Sequence, residues 1–418
     1  MPGQVGFLLR WLVAPAIVVC SLAAAQAAEP ARAYGFAPAT RVAVSLMFLM
    51  NGFVVGSWAP KIPEFAARLG LSPGELGLMI VAFGIGSLLT MPVVGALIAR
   101  EGSHRILRGL SIVTASSLLV LTLAPNIPLA ALAIFLVGAS VGGMDVAMNT
   151  NAVAVERSMR RAIMSSCHGF WSLGGLIGAA LGGYLISQVG VLNHVIAVTA
   201  LAGVLLVLAW PRVLDDVAPA DEEKVPLTLP SSPLPWLIGI MALFSMVPEG
   251  AVLDWGALYL RNELGGSVTQ SGLVFGAFSA TMATMRFAGD AVRDRLGAVT
   301  TLRLCAVIAI AGMVIAGLAP TATVAIVGFA ICGIGVSNLV PIAFSAGGNL
   351  PGLAPGIGMS IVTTMGYSGI LVAPTVLGFV AEYTSFAAVF TALPLLLLVV
   401  LALSGFARYG DMGSHDRA

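Results

Sequence analysis

Apolar residues fall along this chain in runs of about twenty, separated by short polar or charged breaks. Runs of that length match what a helix needs to cross a hydrocarbon core of about 30 Å. They predict helices at 41–60, 74–99, 106–124, 129–155, 163–188 and 192–211, and again at 235–260, 270–293, 299–319, 322–346, 355–380 and 385–406. The only long polar stretch, 213–234, carries Asp215, Asp216, Asp221, Glu222, Glu223 and Lys224 and divides six helices from six. The expected fold is therefore an all-α polytopic membrane protein of twelve transmembrane helices in two six-helix bundles, over 41–212 and 235–407, with a linker at 213–234 and a tail at 408–418.

Composition agrees with that pattern. Of 418 residues 58% are hydrophobic and 9% charged, whereas a soluble domain carries about 25% charged residues. The position of the charges says more than their sum. Fifteen Lys and Arg fall on one face of the predicted bundle and three (Lys61, Arg68, Arg261) on the other. Cationic loops are retained in the cytoplasm, so both ends of the twelve-helix unit and the linker are expected there, in a bacterial inner membrane. Residues 1–40 do not fit. Phe7 to Ala28 reads as a signal-peptide core with a small-residue site at Ala25-Gln26-Ala27, but cleavage would leave the new N-terminus outside, against the loop charges. An uncleaved extra helix or a mis-assigned start codon are the two readings, the second being favoured.

A shift of 195 residues aligns the second helix of each half without a gap. Gly77, Ala82, Phe83, Arg100, Gly102 and Arg108 meet Gly272, Ala277, Phe278, Arg295, Gly297 and Arg303, among nine identities in 32 columns. Duplicated bundles suit carriers, because two similar halves can rock about a site between them.

Within that repeat, Gly95-x-x-x-Ala99-Arg100-x-Gly102-x-x-Arg105 resembles the signature loop of the major facilitator superfamily, with Ala99 where the family usually has Asp. The second copy, Asp290-x-x-x-Asp294-Arg295-x-Gly297, keeps the acid and lacks the leading glycine. Three further stretches resemble the YbjJ/MosC-like subgroup, near the fucose-permease type of carrier. They are Asp145-Val-Ala-Met-Asn149 with Glu156, Ser165-Ser-Cys-His168-Gly-Phe-Trp171-Ser, and Glu249-Gly-Ala-Val-Leu-Asp254-Trp255. The resemblance implies a proton-linked carrier of a small polar, sugar-like solute. Fucose-type carriers have an acid in the first helix where this chain has Asn51.

Ionisable groups at membrane depth are costly and need a partner or a task. In the fourth helix Asp145, Asn149 and Glu156 share one face, with Asp145 expected in the cytoplasmic third as a coupling or substrate residue. The fifth helix aligns His168 and Trp171 with Gly175, Gly178 and Gly182, and its glycines read chiefly as packing. Glu249 and Asp254 on the seventh helix point about 140° apart, so they are not a carboxylate pair. Pro248 interrupts the helix beside Glu249, as at many carrier sites. Arg286, Asp290 and Arg293 are spaced to pair locally on the eighth helix. The alternative is a bridge from Arg286 to Asp145 or Glu156 across the halves. Asn51, Asn338 and Tyr367 complete a set suited to hydroxyl-bearing ligands. The expected substrate and coupling set is thus Asn51, Asp145, Asn149, His168, Trp171, Glu249, Asp254, Asn338 and Tyr367. The expected gating set is Arg100, Glu156, Arg286, Asp290, Asp294 and Arg295.

No phosphate-binding loop is possible, since neither Lys61 nor Lys224 follows Gly or precedes Ser or Thr. No nucleophile–base arrangement suggests an enzyme. Cys20, Cys167, Cys305 and Cys332 and the four histidines show no ligand spacing, so no metal, cofactor or disulfide is expected. The expected partners are a small-molecule substrate, a coupling proton and the lipid bilayer, with no nucleic acid, and the chain is expected to be a monomer. An exporter of amphiphilic compounds and a non-transporting sensor or assembly factor are the competing functions.

Overall fold

A computed structural model describes residues 39–216 and 230–411. The signal-like segment, most of the acidic linker and the end of the tail lie outside the described residues. Twelve membrane helices run in chain order: α1 (Ala39–Trp58), α2 (Pro73–Glu101), α3 (Ser103–Leu123), α4 (Ile127–Met159), α5 (164–189) and α6 (191–209), then α7 (Leu234–Asn262), α8 (Val268–Leu296) and α9 (Ala298–Gly317). They continue with α10 (Ala322–Val336, broken, then Leu339–Gly348), α11 (Pro355–Tyr383) and α12 (Phe386–Ala392, then Pro394–Leu403). Ten stretches of the described residues are long and apolar enough to cross a membrane. The first part of α5 and all of α8 are not among them; these carry the serine, histidine and arginine-rich segments. Leu78, Leu89, Val207, Leu318 and Leu395 are each more than half exposed, as a chain with a lipid-facing surface allows.

The repeat governs the local chemistry of the helix ends. Ser72 and Glu75 form a capping box on α2, and Ser267 with Gln270 forms one on α8, 195 residues later. Asn126 caps α4 and Thr321 caps α10, again 195 apart. Asp216 accepts from the Ser103 and His104 amides at the start of α3, while Asp411 accepts from Ala298 at the start of α9. Between α2 and α3 the chain turns at Gly102 (φ 80°), and between α8 and α9 at Gly297 (φ 77°), a region in which a Cβ is strained. These are the glycines of the two signature loops.

Each half is assembled by the same pairings. α1 packs on α5, α2 on α4, and α3 on α4 and α6; α7 packs on α11, α8 on α10, and α9 on α10 and α12. The halves meet where α2 touches α11 and α5 touches α8. The α1–α5 contact is close enough that a Cβ on Gly56 would lie 2.2 Å from the Gly175 carbonyl oxygen, and one on Gly178 2.5 Å from that of Phe53. Neither backbone can retreat without unpacking the bundle, so Gly56→Val is expected to abolish monodisperse folded protein on fluorescence-detected size exclusion. A normal elution profile would show that the α1–α5 spacing is not fixed by these glycines.

Candidate functional site

The arginine-rich end of the molecule is closed by a polar seam between the halves. Its centre is Glu156, on the last turns of α4, which is fully buried. One carboxylate oxygen accepts from the Ile163 and Met164 amides (2.8 and 3.0 Å) at the start of α5 and from Arg293 Nη1 of α8 (3.0 Å). The other accepts from the Ser345 hydroxyl of α10 at 2.6 Å. Arg293 also donates to Ser345 Oγ (2.7 Å) and to the Gly410 carbonyl.

Two more acids of α8 reach across the seam. Asp290 accepts from the Ser165 and Ser166 amides (2.9 and 3.2 Å) and from the Ser166 hydroxyl. Asp294 accepts from the Ala162 amide (2.8 Å) and sits 3.5 Å from Arg161 Nε. Three carboxylates therefore meet the first turn of α5, where the unpaired amides and the positive end of the helix dipole favour negative charge. Arg157 completes the closure by donating to Asn349 Oδ1 (2.5 Å) and the Gly348 carbonyl (2.8 Å).

The symmetry-related seam is built differently. Gly95 stands where the repeat has Asp290, and a Cβ there would lie 2.4 Å from the Ser360 side chain and 2.6 Å from the Gly356 carbonyl oxygen of α11. One seam is tied by acids and the other by close packing, which is why each signature copy keeps a different half of the pattern. Arg100 and Arg295 stay exposed at the ends of α2 and α8.

Above the closure lies a second layer of polar groups. Asp145 is 14 residues from the end of α4, about 21 Å along its axis, so it stands near mid-helix and not in the outer third of the arginine-rich side. It is 3% exposed, and its Oδ2 is buried without a hydrogen-bond partner. The Tyr367 side chain of α11 interacts with it from the other half. Asn149 donates to the Asp145 carbonyl (2.8 Å), which leaves its Oδ1 to accept from His168 Nε2 at 3.1 Å. His168 is wedged between the Phe48 and Phe344 rings, edge-on to both. Trp171 Nε1 donates to Asn51 Oδ1 at 2.9 Å, joining α5 to α1.

Arg286 has a different partner from either sequence alternative. It pairs with Glu249 of α7 at 3.3 Å and donates to the Ser172 hydroxyl of α5 at 2.6 Å. It does not reach Asp145 or Glu156, and the bridge to Glu156 is made by Arg293 instead. Local pairing on α8 fails too, because Asp290 points its carboxylate at α5. Glu249 keeps about a quarter of its side chain exposed (24%) although the end below it is sealed.

The sequence model of the Major Facilitator Superfamily matches residues 44–374 and, a second time, 255–414. The chain belongs to the Major Facilitator Superfamily. It is 35% identical over 368 residues to an uncharacterized MFS-type transporter of Yersinia pestis, covering 87% of this chain and 94% of that one. It is 34% identical over 349 residues to the membrane protein MosC of Rhizobium meliloti, covering 82% and 84%. Among solved structures, the transporter FucP in its outward conformation superposes with a TM-score of 0.77 at 18% identity, covering 88% of this chain and 98% of that one. The proton:xylose symporter XylE bound to 6-bromo-6-deoxy-D-glucose gives 0.66 at 13%, covering 87% and 94%.

As a superfamily member the protein is a multi-pass membrane transporter that binds a small-molecule substrate, not an enzyme. The structure gathers Asp145, Asn149, His168, Glu249 and Tyr367 at the junction of the halves, and pairs Asn51 with Trp171 inside the first half. It leaves two expected site residues elsewhere. Asn338 is fully buried at the break in α10, donates to Ser337 Oγ at 2.9 Å, and lies so close to α8 that a Cβ on Gly289 would meet its Oδ1 at 1.8 Å. It joins α8 to α10 inside one half. Asp254 is exposed, five residues beyond Glu249 toward the far end of α7. Ser172, Ser345, Arg157 and Asn349 carry no spacing that singles them out in the sequence; only Ser172, the last residue of the Ser165–Ser172 stretch, gives any signal.

Proposed function

We propose that the protein is a proton-coupled carrier of a small polar, sugar-like solute, working by alternating access in a bacterial inner membrane as a monomer. Asp145 carries this reading. A buried carboxylate with one unpartnered oxygen, facing a phenol of the opposite half, is a group whose proton and whose hydrogen bonds both depend on how the halves sit. Glu249, paired with Arg286 one helix away, supplies a second acid at similar depth. Trp171 with Asn51 offers an aromatic face beside an amide, which suits a hydroxylated ring. In this reading the arginine-rich face is cytoplasmic, by the retention of cationic loops, and the seam around Glu156 is the closed inner gate. Two solved relatives in fold, a fucose:proton symporter and a proton:xylose symporter, lend the reading support.

Efflux of amphiphilic compounds is the competing reading, and the glycine-rich face of α5 is the feature that would favour it. Gly174 and Gly178 pack directly on the α1 backbone, so helix packing accounts for them without a drug pathway. The test begins with a thermal-shift screen of the purified protein against sugars, polyols, amino acids and drugs. A stabilising compound then goes to proteoliposomes holding a pH-sensitive dye. Inward addition is expected to move protons with the solute in wild type and not in Asp145→Asn. Solute uptake without proton movement would reject the coupling, and accumulation in the export direction would reject the importer.

A further inference from the structure

The face opposite the arginine-rich end has few cations, and Lys61 is unusual among them. It lies 22 residues beyond Ala39, about 33 Å along the helix axis and so at the far boundary of the hydrocarbon core. A lysine at that depth ordinarily extends its stem and places the ammonium among headgroups. Lys61 turns inward instead. It is 3% exposed and donates to the Thr122 hydroxyl of α3. The ion pairs among the described residues involve His104, Arg161, Arg286 and Arg293, and none involves Lys61. One hydroxyl satisfies one of three ammonium donors, and a buried cation without a counter-charge is costly.

Beside it opens a cavity of about 280 Å³. Trp58 and Phe65, edge-to-face at 5.2 Å, form one wall, and Leu121 and Val191 belong to the remaining lining. Arg68 stands at the rim, fixed by donating to the Ala124 and Leu121 carbonyls (2.6 and 3.3 Å). Leu123 and Leu192 also line the cavity and are 61% and 48% exposed on the lipid-facing surface, so its apolar wall runs on toward the bilayer. His194, 1% exposed and near enough to feel the Lys61 charge, leaves Nδ1 unpartnered at the same end.

We propose that this cavity binds an anionic phospholipid, its phosphodiester meeting Lys61 and Arg68 and its acyl chain lying over Leu123 and Leu192. A basic pocket open sideways to the membrane suits a headgroup. A dissolved anion would use the cations and gain nothing from the apolar wall. Glu64, exposed at the same rim, opposes the anion and sets a limit on its affinity.

The experiment compares the full chain in nanodiscs of phosphatidylcholine alone with nanodiscs containing phosphatidylglycerol, by thermal unfolding and by native mass spectrometry of retained lipid. Phosphatidylglycerol is expected to raise the unfolding temperature by about 5 °C and to stay bound through detergent exchange. Lys61→Met is expected to lose both effects, and Glu64→Gln, an exposed change that leaves folding intact, to increase retention. Equal behaviour of wild type in the two lipids would overturn the proposal. So would unchanged retention in both variants, or the same stabilisation by inorganic phosphate in phosphatidylcholine discs, which would make the ligand a free anion.

Discussion

Glu156→Ala is expected to destabilise the closed state by about 3–5 kcal/mol, the cost of stripping the partner from a buried charge. Arg293 would stay 2% exposed with no carboxylate, and the first turn of α5 would lose the acceptor for two amides. Both losses fall on the seam that holds α4, α8 and α10 together, so the halves should part at the arginine-rich end before either unfolds. Cys167 offers a reporter, since it is fully buried directly beneath that seam. With the other three cysteines replaced by serine, maleimide labelling of Cys167 should rise at least tenfold in the variant. The double variant Glu156→Ala/Arg293→Ala should be less impaired than the sum of its parts, because the stranded cation is gone. Unchanged labelling with strictly additive losses would show that the gate is held elsewhere.

Much of this architecture is legible in the sequence because it rests on patterns with a fixed period. Apolar runs give the helices, and a repeat of 195 residues gives the two halves. The same interval returns the capping pairs Ser72 and Ser267, Asn126 and Thr321, and Asp216 and Asp411. The break of α10 at Ser337–Asn338 departs from that pattern, whereas the predicted helices 163–188 and 192–211 do separate, at Gly190 (φ 80°). The partners of the charged residues obey no such period. Spacing on α8 makes Asp290 a natural neighbour of Arg286 and Arg293, yet helix rotation turns all three toward other helices. Which arginine reaches Glu156 depends on how far α8 slides along α4 and α5, a tertiary quantity that i, i+4 rules do not contain. Asn338 misled for the same reason. A mid-depth amide looks alike whether it faces a chamber or fills the gap that Gly289 leaves.

The Glu249–Arg286 pair should separate carrier chemistry from carrier structure. Arg286 touches both halves, through Glu249 on α7 and Ser172 on α5. Opening that junction must therefore either break the Ser172 contact or carry Ser172 along. If Glu249 releases Arg286 on taking a proton, its neutral mimic Glu249→Gln should abolish uphill accumulation, by about 100-fold or more given the 3–5 kcal/mol at stake. The same variant should still exchange labelled for unlabelled solute across the membrane, since exchange needs binding and rocking but no net proton. Arg286→Ala should lose both activities, because it removes the tie between the halves and leaves Glu249 unpaired. Proteoliposome counterflow and gradient-driven uptake, run side by side on the compound found by thermal shift, distinguish the cases. Uphill accumulation by Glu249→Gln at wild-type rate would assign the proton to Asp145 alone and reduce the Glu249–Arg286 pair to a structural strut.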